Sequence, residues 1–153
     1  MSTYEKRDIA CPHCQALASH SIAKSLNGPR VPDVITAICE GRFQRFACDQ
    51  CGQPYVVDHP LVYLDFDNHI WMYMFPKTWE ARWSELEEQS KKSWRTNMIE
   101  QAPAMVRSIS AGFRLRTVFG VDGLRDKLVC FGAQLDDVLI ELLKLDLLRT
   151  SPG

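Results

Sequence analysis

Cys11-Pro12-His13-Cys14 and Cys48-Asp49-Gln50-Cys51-Gly52 each place two cysteines two residues apart. This spacing lets both thiolates of a pair turn toward one point, and two such pairs supply the four ligands of a closed tetrahedral zinc site. Pro12 fixes one backbone torsion in the first pair, and Gly52 tolerates the turn that follows the second. We therefore predict one structural Zn²⁺ bound by Cys11, Cys14, Cys48 and Cys51.

Iron, disulfides and unligated thiols are the alternatives to zinc at these cysteines. A four-thiolate site also suits iron, because both metals favour tetrahedral sulfur coordination. Disulfides require an oxidising compartment, and residues 1–10 show neither the apolar run nor the cleavage site of a secretory signal. Structural cysteines without a metal would not need the paired spacing. Zinc is therefore the prediction, and the cytoplasm is the expected location.

Similarity to a known family covers the stretches Ile9–Cys14, Phe46–Gly52, Asp58–Tyr63, Leu124–Leu128 and Leu135–Lys144. These stretches resemble the bacterial CpXC family, which takes its name from a cysteine-proline-x-cysteine motif. The resemblance runs over most of the chain and implies a zinc-ribbon-like domain, but it implies no particular activity. In the second cysteine pair Asp49 replaces the proline of the motif, and no ligand is lost.

Length and composition place the chain among ordinary globular proteins. Its 153 residues fit one domain that can bury a core without disulfides, and 46% are hydrophobic while 24% are charged. No apolar run is as long as a membrane span, so we expect no membrane partner. The net charge is -1, and acidic and basic residues are balanced in residues 1–60. This balance disfavours nucleic acid as a partner, since phosphate binding needs a basic face.

The predicted fold is α+β, in a single domain of residues 1–153. Residues 1–76 form a zinc-ribbon-like antiparallel β module that ends in a β-hairpin. Residues 77–153 form a helical and strand half packed on that module. The predicted elements are strands over 17–26 and from Arg42 onward, a helix capped by Asp33, a hairpin over 61–66 and 70–75, a long helix over 78–101, a strand over 113–119, and C-terminal helices over 123–131 and 135–148, the last deeply buried.

Two surfaces are candidates for binding a partner. The long helix carries an apolar stripe at spacings of three and four residues: Trp79, Trp83, Leu86, Ser90, Trp94 and Met98. Packing against the hairpin is the favoured interpretation of this stripe, and a partner that covers part of it is the alternative, because tryptophan is enriched at binding hot spots. Arg114 and Arg116 share one face of the strand over 113–119, where they either meet an acidic partner or remain solvated.

The sequence assembles no catalytic constellation, so we expect that the protein is not an enzyme. A closed four-cysteine site leaves no coordination position for a substrate. The leading hypothesis is a zinc-stabilised cytoplasmic module that binds another protein, such as a partner enzyme that it restrains in the way an immunity or accessory protein does. The alternative is a nucleic-acid-binding regulator that uses Arg42 and Arg45 beside Phe43 and Phe46.

Overall fold

The computed structural model describes residues 1–110 and 112–150 of the chain. The strands are β1 (Thr3–Ala10), β2 (Leu17–Asn27), β3 (Arg45–Ala47), β4 (Pro54–Val56), β5 (Leu61–Asp65), β6 (Ile70–Phe75) and β7 (Arg114–Phe119). The α-helices are α1 (Pro32–Cys39), α2 (Trp83–Arg95), α3 (Ala104–Ser110), α4 (Gly120–Gly132) and α5 (Asp137–Thr150). This mixture of strands and helices confirms the predicted α+β class.

Two β-hairpins carry the cysteine pairs. β1 and β2 pair antiparallel from Thr3 onward, and the first cysteine pair lies in the turn between Ala10 and Leu17. β3 and β4 also pair antiparallel, and the second cysteine pair lies in the turn between Ala47 and Pro54. Each pair of thiols therefore lies at the tip of a two-stranded ribbon, which agrees with the predicted zinc-ribbon-like module.

The main sheet has the strand order β1-β2-β5-β6-β7. β5 and β6 form the predicted hairpin, with Leu61 opposite Met74 and Asp65 opposite Ile70. β2 runs parallel to β5, and β6 runs parallel to β7. The sheet is therefore mixed, although the sequence predicted an antiparallel module. Parallel neighbours need a crossover of a dozen or more residues, and the long helical connections between β2 and β5 and between β6 and β7 provide it.

β6 is packed against helices on both of its faces. Ile70, Met72 and Met74 lie in the main core, where α1 and α4 contact each other and α4 contacts β6 and β7. Trp71, on the opposite face, packs edge-to-face against Trp94 of α2, with the ring centroids 4.9 Å apart. The nearly continuous apolar sequence of this strand follows from its position between two helical layers.

The helical segment predicted over residues 78–101 forms with three successive geometries. Lys77–Arg82 is a 3-10 helix, Trp83–Arg95 is α2, and Thr96–Glu100 is a π-helical turn. A 3-10 helix has three residues per turn instead of 3.6, so side chains spaced for an α-helix rotate out of line along it. Trp79 in the 3-10 helix and Trp83 at the start of α2 are exposed, whereas the middle of the stripe is buried.

Gln44 joins the second hairpin to β2. The strand predicted from Arg42 begins only at Arg45, and Gln44 has a left-handed backbone with φ of 49°. The side chain of Gln44 is buried, where its Oε1 accepts a hydrogen bond from the Ala23 amide at 3.0 Å and its Nε2 donates to the Val57 carbonyl at 2.8 Å. One side chain thus satisfies two backbone groups from different parts of the fold.

We expect Gln44→Ala to lower the free energy of unfolding by about 3 kcal/mol. The variant leaves two buried backbone groups without a hydrogen-bond partner, and each such group costs about 1–3 kcal/mol. Urea unfolding followed by circular dichroism measures this loss. The matched control is Gln53→Ala, which removes an exposed glutamine from the same hairpin and should change stability by less than about 0.5 kcal/mol. Equal unfolding midpoints for the two variants would contradict the bridging role of Gln44.

The last helix differs most from its prediction. Residues 135–148 were expected to form a deeply buried helix, but Leu148 of α5 is 75% exposed and the other leucines of this helix are also exposed. The inward side of α5 carries charged residues, among them Asp137 and Lys144. The prediction was wrong because leucines surround most of this helix, so their spacing does not reveal which side faces the core.

In the described part of the chain, neither α5 nor any other helix is long and apolar enough to span a bilayer.

Candidate metal centre

The two cysteine pairs adopt the same turn. The amide of Gln15 donates to the Cys11 carbonyl at 2.9 Å, and the amide of Gly52 donates to the Cys48 carbonyl at 2.8 Å. The amide of each first cysteine also donates to the carbonyl five residues later, at 2.8 and 3.0 Å. Gln15 and Gly52 both have a left-handed backbone, with φ of 62° and 69°. The glycine signalled this turn in the sequence, whereas the glutamine gave no such signal.

The four predicted ligands lie together. The sulfur atoms of Cys11, Cys14, Cys48 and Cys51 are all within 4.8 Å of one another. Cys11 Sγ lies 3.8 Å from Cys51 Sγ, and Cys14 Sγ lies 3.5 Å from Cys48 Sγ. Sulfurs bound to one tetrahedral zinc at about 2.3 Å are separated by about 3.8 Å, whereas a disulfide requires about 2.05 Å. The cluster therefore has the dimensions of a site that can hold one metal ion.

A small apolar core lies beneath the cluster. Cys11 is fully buried and Cys48 is nearly so, and both belong to a group of buried residues with Ile22, Tyr55 and Val57. This core is separate from the main core that α1 and α4 cover. Because the small core contains two ligands, the packing of the two hairpins and the geometry of the thiol cluster depend on each other.

The thiols differ in acidity. Hydrogen bonds from the backbone amides of Cys51 and Gln50 lower the pKa of the Cys48 thiol to about 6. The backbone amide of Ala16 favours the thiolate of Cys14, but the hydrogen bond shared with Cys48 and burial outweigh it, so that the pKa of Cys14 is raised to about 12. Without a metal the close thiolates repel one another, and protons neutralise part of the cluster. A bound metal ion replaces those protons.

A histidine and two aromatic residues join the hairpins beside the cluster. The ring of His20, on β2, stacks on Phe46 of β3 with the centroids 3.9 Å apart. Its Nε2 lies 2.6 Å from the hydroxyl oxygen of Tyr55 on β4, and burial raises the pKa of this tyrosine. No sequence pattern indicated this contact, because His20 is distant in the chain from the other two residues and the three match no motif. The contact holds the second ribbon against the first.

The remaining cysteines and the loop histidines have other surroundings. Cys39 packs against the main core and Cys130 is buried in α4, and neither belongs to the thiol cluster. His59 Nδ1 lies 2.9 Å from the Pro60 carbonyl, as expected of a histidine in a turn. His69 contacts an aromatic ring of the loop before β7. The cluster that could hold a metal ion therefore consists of the four paired cysteines alone among the described residues.

Two tryptophans of the predicted stripe are exposed, and one is covered by the protein itself. Trp83 is 58% exposed and Trp79 is 38% exposed, and the guanidinium of Arg82 lies 5.9 Å from the Trp79 ring centroid. Trp94 packs against Trp71 in the layer between α2 and the sheet. We call Trp79, Arg82 and Trp83 the tryptophan surface. It is the part of the stripe that an external partner can reach.

The two arginines of β7 have partners within the described residues. The guanidinium of Arg116 makes a two-pronged contact with the Asp137 carboxylate, with Nε 2.8 Å from Oδ2 and Nη2 3.0 Å from Oδ1. Arg114 lies over the ring of Phe131, with its guanidinium carbon 4.5 Å from the ring centroid. Both side chains therefore fasten the C-terminal helices to the edge of the sheet.

The basic and aromatic residues before the second cysteine pair do not form one exposed surface. Arg42 is paired with Glu40, and Arg45 donates to a backbone carbonyl at 3.2 Å. Phe43 is buried in the main core, and Phe46 stacks on a histidine of β2. The aromatic rings that a nucleic-acid base would stack on are therefore engaged within the protein.

Similarity to known proteins lies at the level of the family. No curated protein and no solved structure matches the chain. The family model described as CpXC protein matches residues 9–144. The match includes all four cysteines of the cluster, the strands β2, β5, β6 and β7 of the main sheet, and the greater part of α5. This chain therefore belongs to the CpXC family.

Proposed function

We propose that the protein is a zinc-stabilised module that binds another protein in the cytoplasm and acts without catalysing a reaction. Four closely spaced thiols support zinc as the metal, because a closed four-cysteine site is typical of structural zinc. Iron fits the same coordination, and metal analysis by mass spectrometry separates the two. A reducing compartment keeps the thiols available for metal, which is why we place the protein in the cytoplasm.

The observation that carries the interaction role is the exposure of Trp83. More than half of this large side chain lies in solvent, next to a second tryptophan and an arginine. Tryptophan and arginine are the residues most often found at binding hot spots, where burial of a ring on a partner supplies much of the affinity. The metal site holds the N-terminal ribbons rigid and leaves the tryptophan surface to make the contact. A partner enzyme that the protein restrains is the first class of target to examine.

We expect Trp83→Ala to lower affinity for the partner by a factor of about 30 or more, which corresponds to the loss of at least about 2 kcal/mol at a hot spot. The measurement is quantitative affinity capture from source cells, with the native protein and each variant processed in parallel. The matched control is Met105→Ala, which removes another exposed apolar side chain, on α3. If Trp83→Ala recovered every partner at the native yield, the tryptophan surface would not be the binding site.

Nucleic-acid binding has weaker support. The protein is nearly neutral in charge, and the aromatic residues near Arg42 and Arg45 are packed inside the protein. An electrostatic interface would show affinity that falls steeply with salt. The interaction proposal therefore predicts no measurable shift of DNA or RNA by the zinc-bound protein at low salt.

A further inference from the structure

α5 turns Asp137 toward the rest of the protein and exposes its leucines. Its inward side carries Asp137, which is 4% exposed and pairs with Arg116 and Lys127. Glu141 on the same side also pairs with Lys127, at 2.9 Å. The rest of the helix surface is mostly apolar, with Asp146 as an acidic exception, and carries Val138, Leu139, Leu142, Leu143, Leu145, Leu147 and Leu148, each more than half exposed. We call these seven residues the leucine face.

This orientation is the reverse of that expected for a helix on the surface of a monomer. Such a helix buries its apolar side and exposes its charged side, because burial of each leucine contributes about 1.5–3 kcal/mol. α5 instead fixes its charged side to α4 and β7 through ion pairs. Nothing in residues 1–110 or 112–150 covers the leucine face.

The size of the leucine face fits a specific interface. With roughly 100 Å² of exposed area for each residue, the seven side chains present on the order of 700 Å². A standard protein interface buries about 800 Å² on each partner, and the largest apolar patch of a typical monomer covers about 300–600 Å². Val129 and Leu135, both about half exposed, extend the apolar area toward α4.

The charges at the ends of α5 favour a second copy in the antiparallel direction. Asp136 precedes the helix and Arg149 lies in its last turn. When two α5 helices cross antiparallel about their midpoints, Arg149 of each copy lies beside Asp136 of the other. A parallel arrangement would instead place like charges together. Antiparallel helices also bring opposite ends of their dipoles together, and a two-fold axis uses the same surface on both copies.

The composition of α5 disfavours a lipid surface as the occupant. Helices that lie on membranes carry Lys and Arg on the side facing the headgroups. The outward side of α5 instead includes the acidic Asp146, and its lysine, Lys144, is turned inward to Asp126 at 2.9 Å. We infer that the leucine face binds a second copy of this chain across a two-fold axis, with the two α5 helices antiparallel.

The first test measures the mass of the metal-bound chain by light scattering after gel filtration. The protein concentration is about 10 μM, which exceeds the weakest dissociation constants, in the μM range, of interfaces of this size. We expect twice the 17.5 kDa chain mass. The double variant Leu139→Glu, Leu143→Glu should raise the dissociation constant roughly a hundred-fold, since it places four carboxylates in the interface. Trp83→Ala is the control and should remain a dimer, so this test is independent of the tryptophan surface.

Two charge variants test the antiparallel arrangement even if the double glutamate variant fails to fold. Asp136→Arg and Arg149→Asp should each weaken self-association about ten-fold, because like charges then meet at both ends of the interface. An equimolar mixture of the two should recover the native dimer, since every end pair is again opposite in charge. A native protein that is monomeric at this concentration, including one that binds phosphatidylcholine vesicles instead, would overturn the inference. A mixture that stays as weakly associated as the separate variants would overturn it too.

Discussion

Cys11→Ser is expected to abolish stable metal binding and to unfold at least the two ribbons of the N-terminal half. Structural zinc in small finger domains contributes roughly 10–16 kcal/mol, which exceeds the 5–15 kcal/mol that stabilises a typical domain. Cys11 is also fully buried in the small core beneath the cluster. A serine there removes one ligand and leaves a buried hydroxyl in an apolar setting.

The measurement combines metal content by native mass spectrometry with thermal unfolding by circular dichroism. Cys130→Ser is the matched control, because Cys130 is also buried but lies in α4, outside the thiol cluster. We expect this control to retain one metal ion and to lose only about 1–2 kcal/mol of stability. A Cys11→Ser protein with native metal content and native melting temperature would refute the four-ligand site.

The thiol cluster could be predicted from the sequence because the pattern that forms it is local. Two residues between the cysteines determine how a pair of thiols turns, and a short hairpin places that pair at its tip. The residues that hold the two hairpins in place around the cluster were not predictable in the same way. The contact between His20 and Tyr55 and the bridge made by Gln44 join residues that are distant in the chain, and no periodic pattern records such hydrogen bonds.

The C-terminal half shows the limit of periodicity. The long helix carries the predicted apolar stripe, but periodicity did not show that Trp94 packs on the sheet while Trp83, in the same helix, is exposed. In α5 the leucines were identified, but their orientation was not. That orientation depends on the pairing of Asp137 with Arg116, a contact over 21 residues that fixes the charged side of the helix inward.

Asp137 holds the last helix to the sheet. Its buried carboxylate accepts two hydrogen bonds from Arg116 and lies 3.2 Å from the ammonium of Lys127, whose side chain is 12% exposed. The hydrogen bonds of Arg116 lower the pKa of Asp137 to about 2. A carboxyl whose pKa is lower in the folded state stabilises folding above its unfolded pKa of about 3.9. That contribution, about 2.5 kcal/mol, is lost as the pH falls through about 2.

We expect Asp137→Ala to destabilise the protein by about 3–5 kcal/mol at neutral pH, because Arg116 and Lys127 remain partly buried without their anion. The measurement is urea unfolding at one fixed protein concentration, repeated between pH 7 and pH 2. The native protein should lose stability across the acid range, and the difference between it and the variant should shrink as Asp137 becomes protonated.

The neighbouring Asp136 provides the control for this experiment. Its Oδ1 accepts hydrogen bonds from the amides of Val138 and Leu139 at 2.8 and 3.2 Å, so it caps the start of α5 without a buried cation as partner. Asp136→Ala should therefore cost only about 1 kcal/mol. If the two alanine variants were equally stable at pH 7, the ion pair would not be what holds α5 in place. The exposure of the leucine face would then need another cause, because the ion pair between Asp137 and Arg116 is the contact that we expect to orient α5 with its leucines exposed.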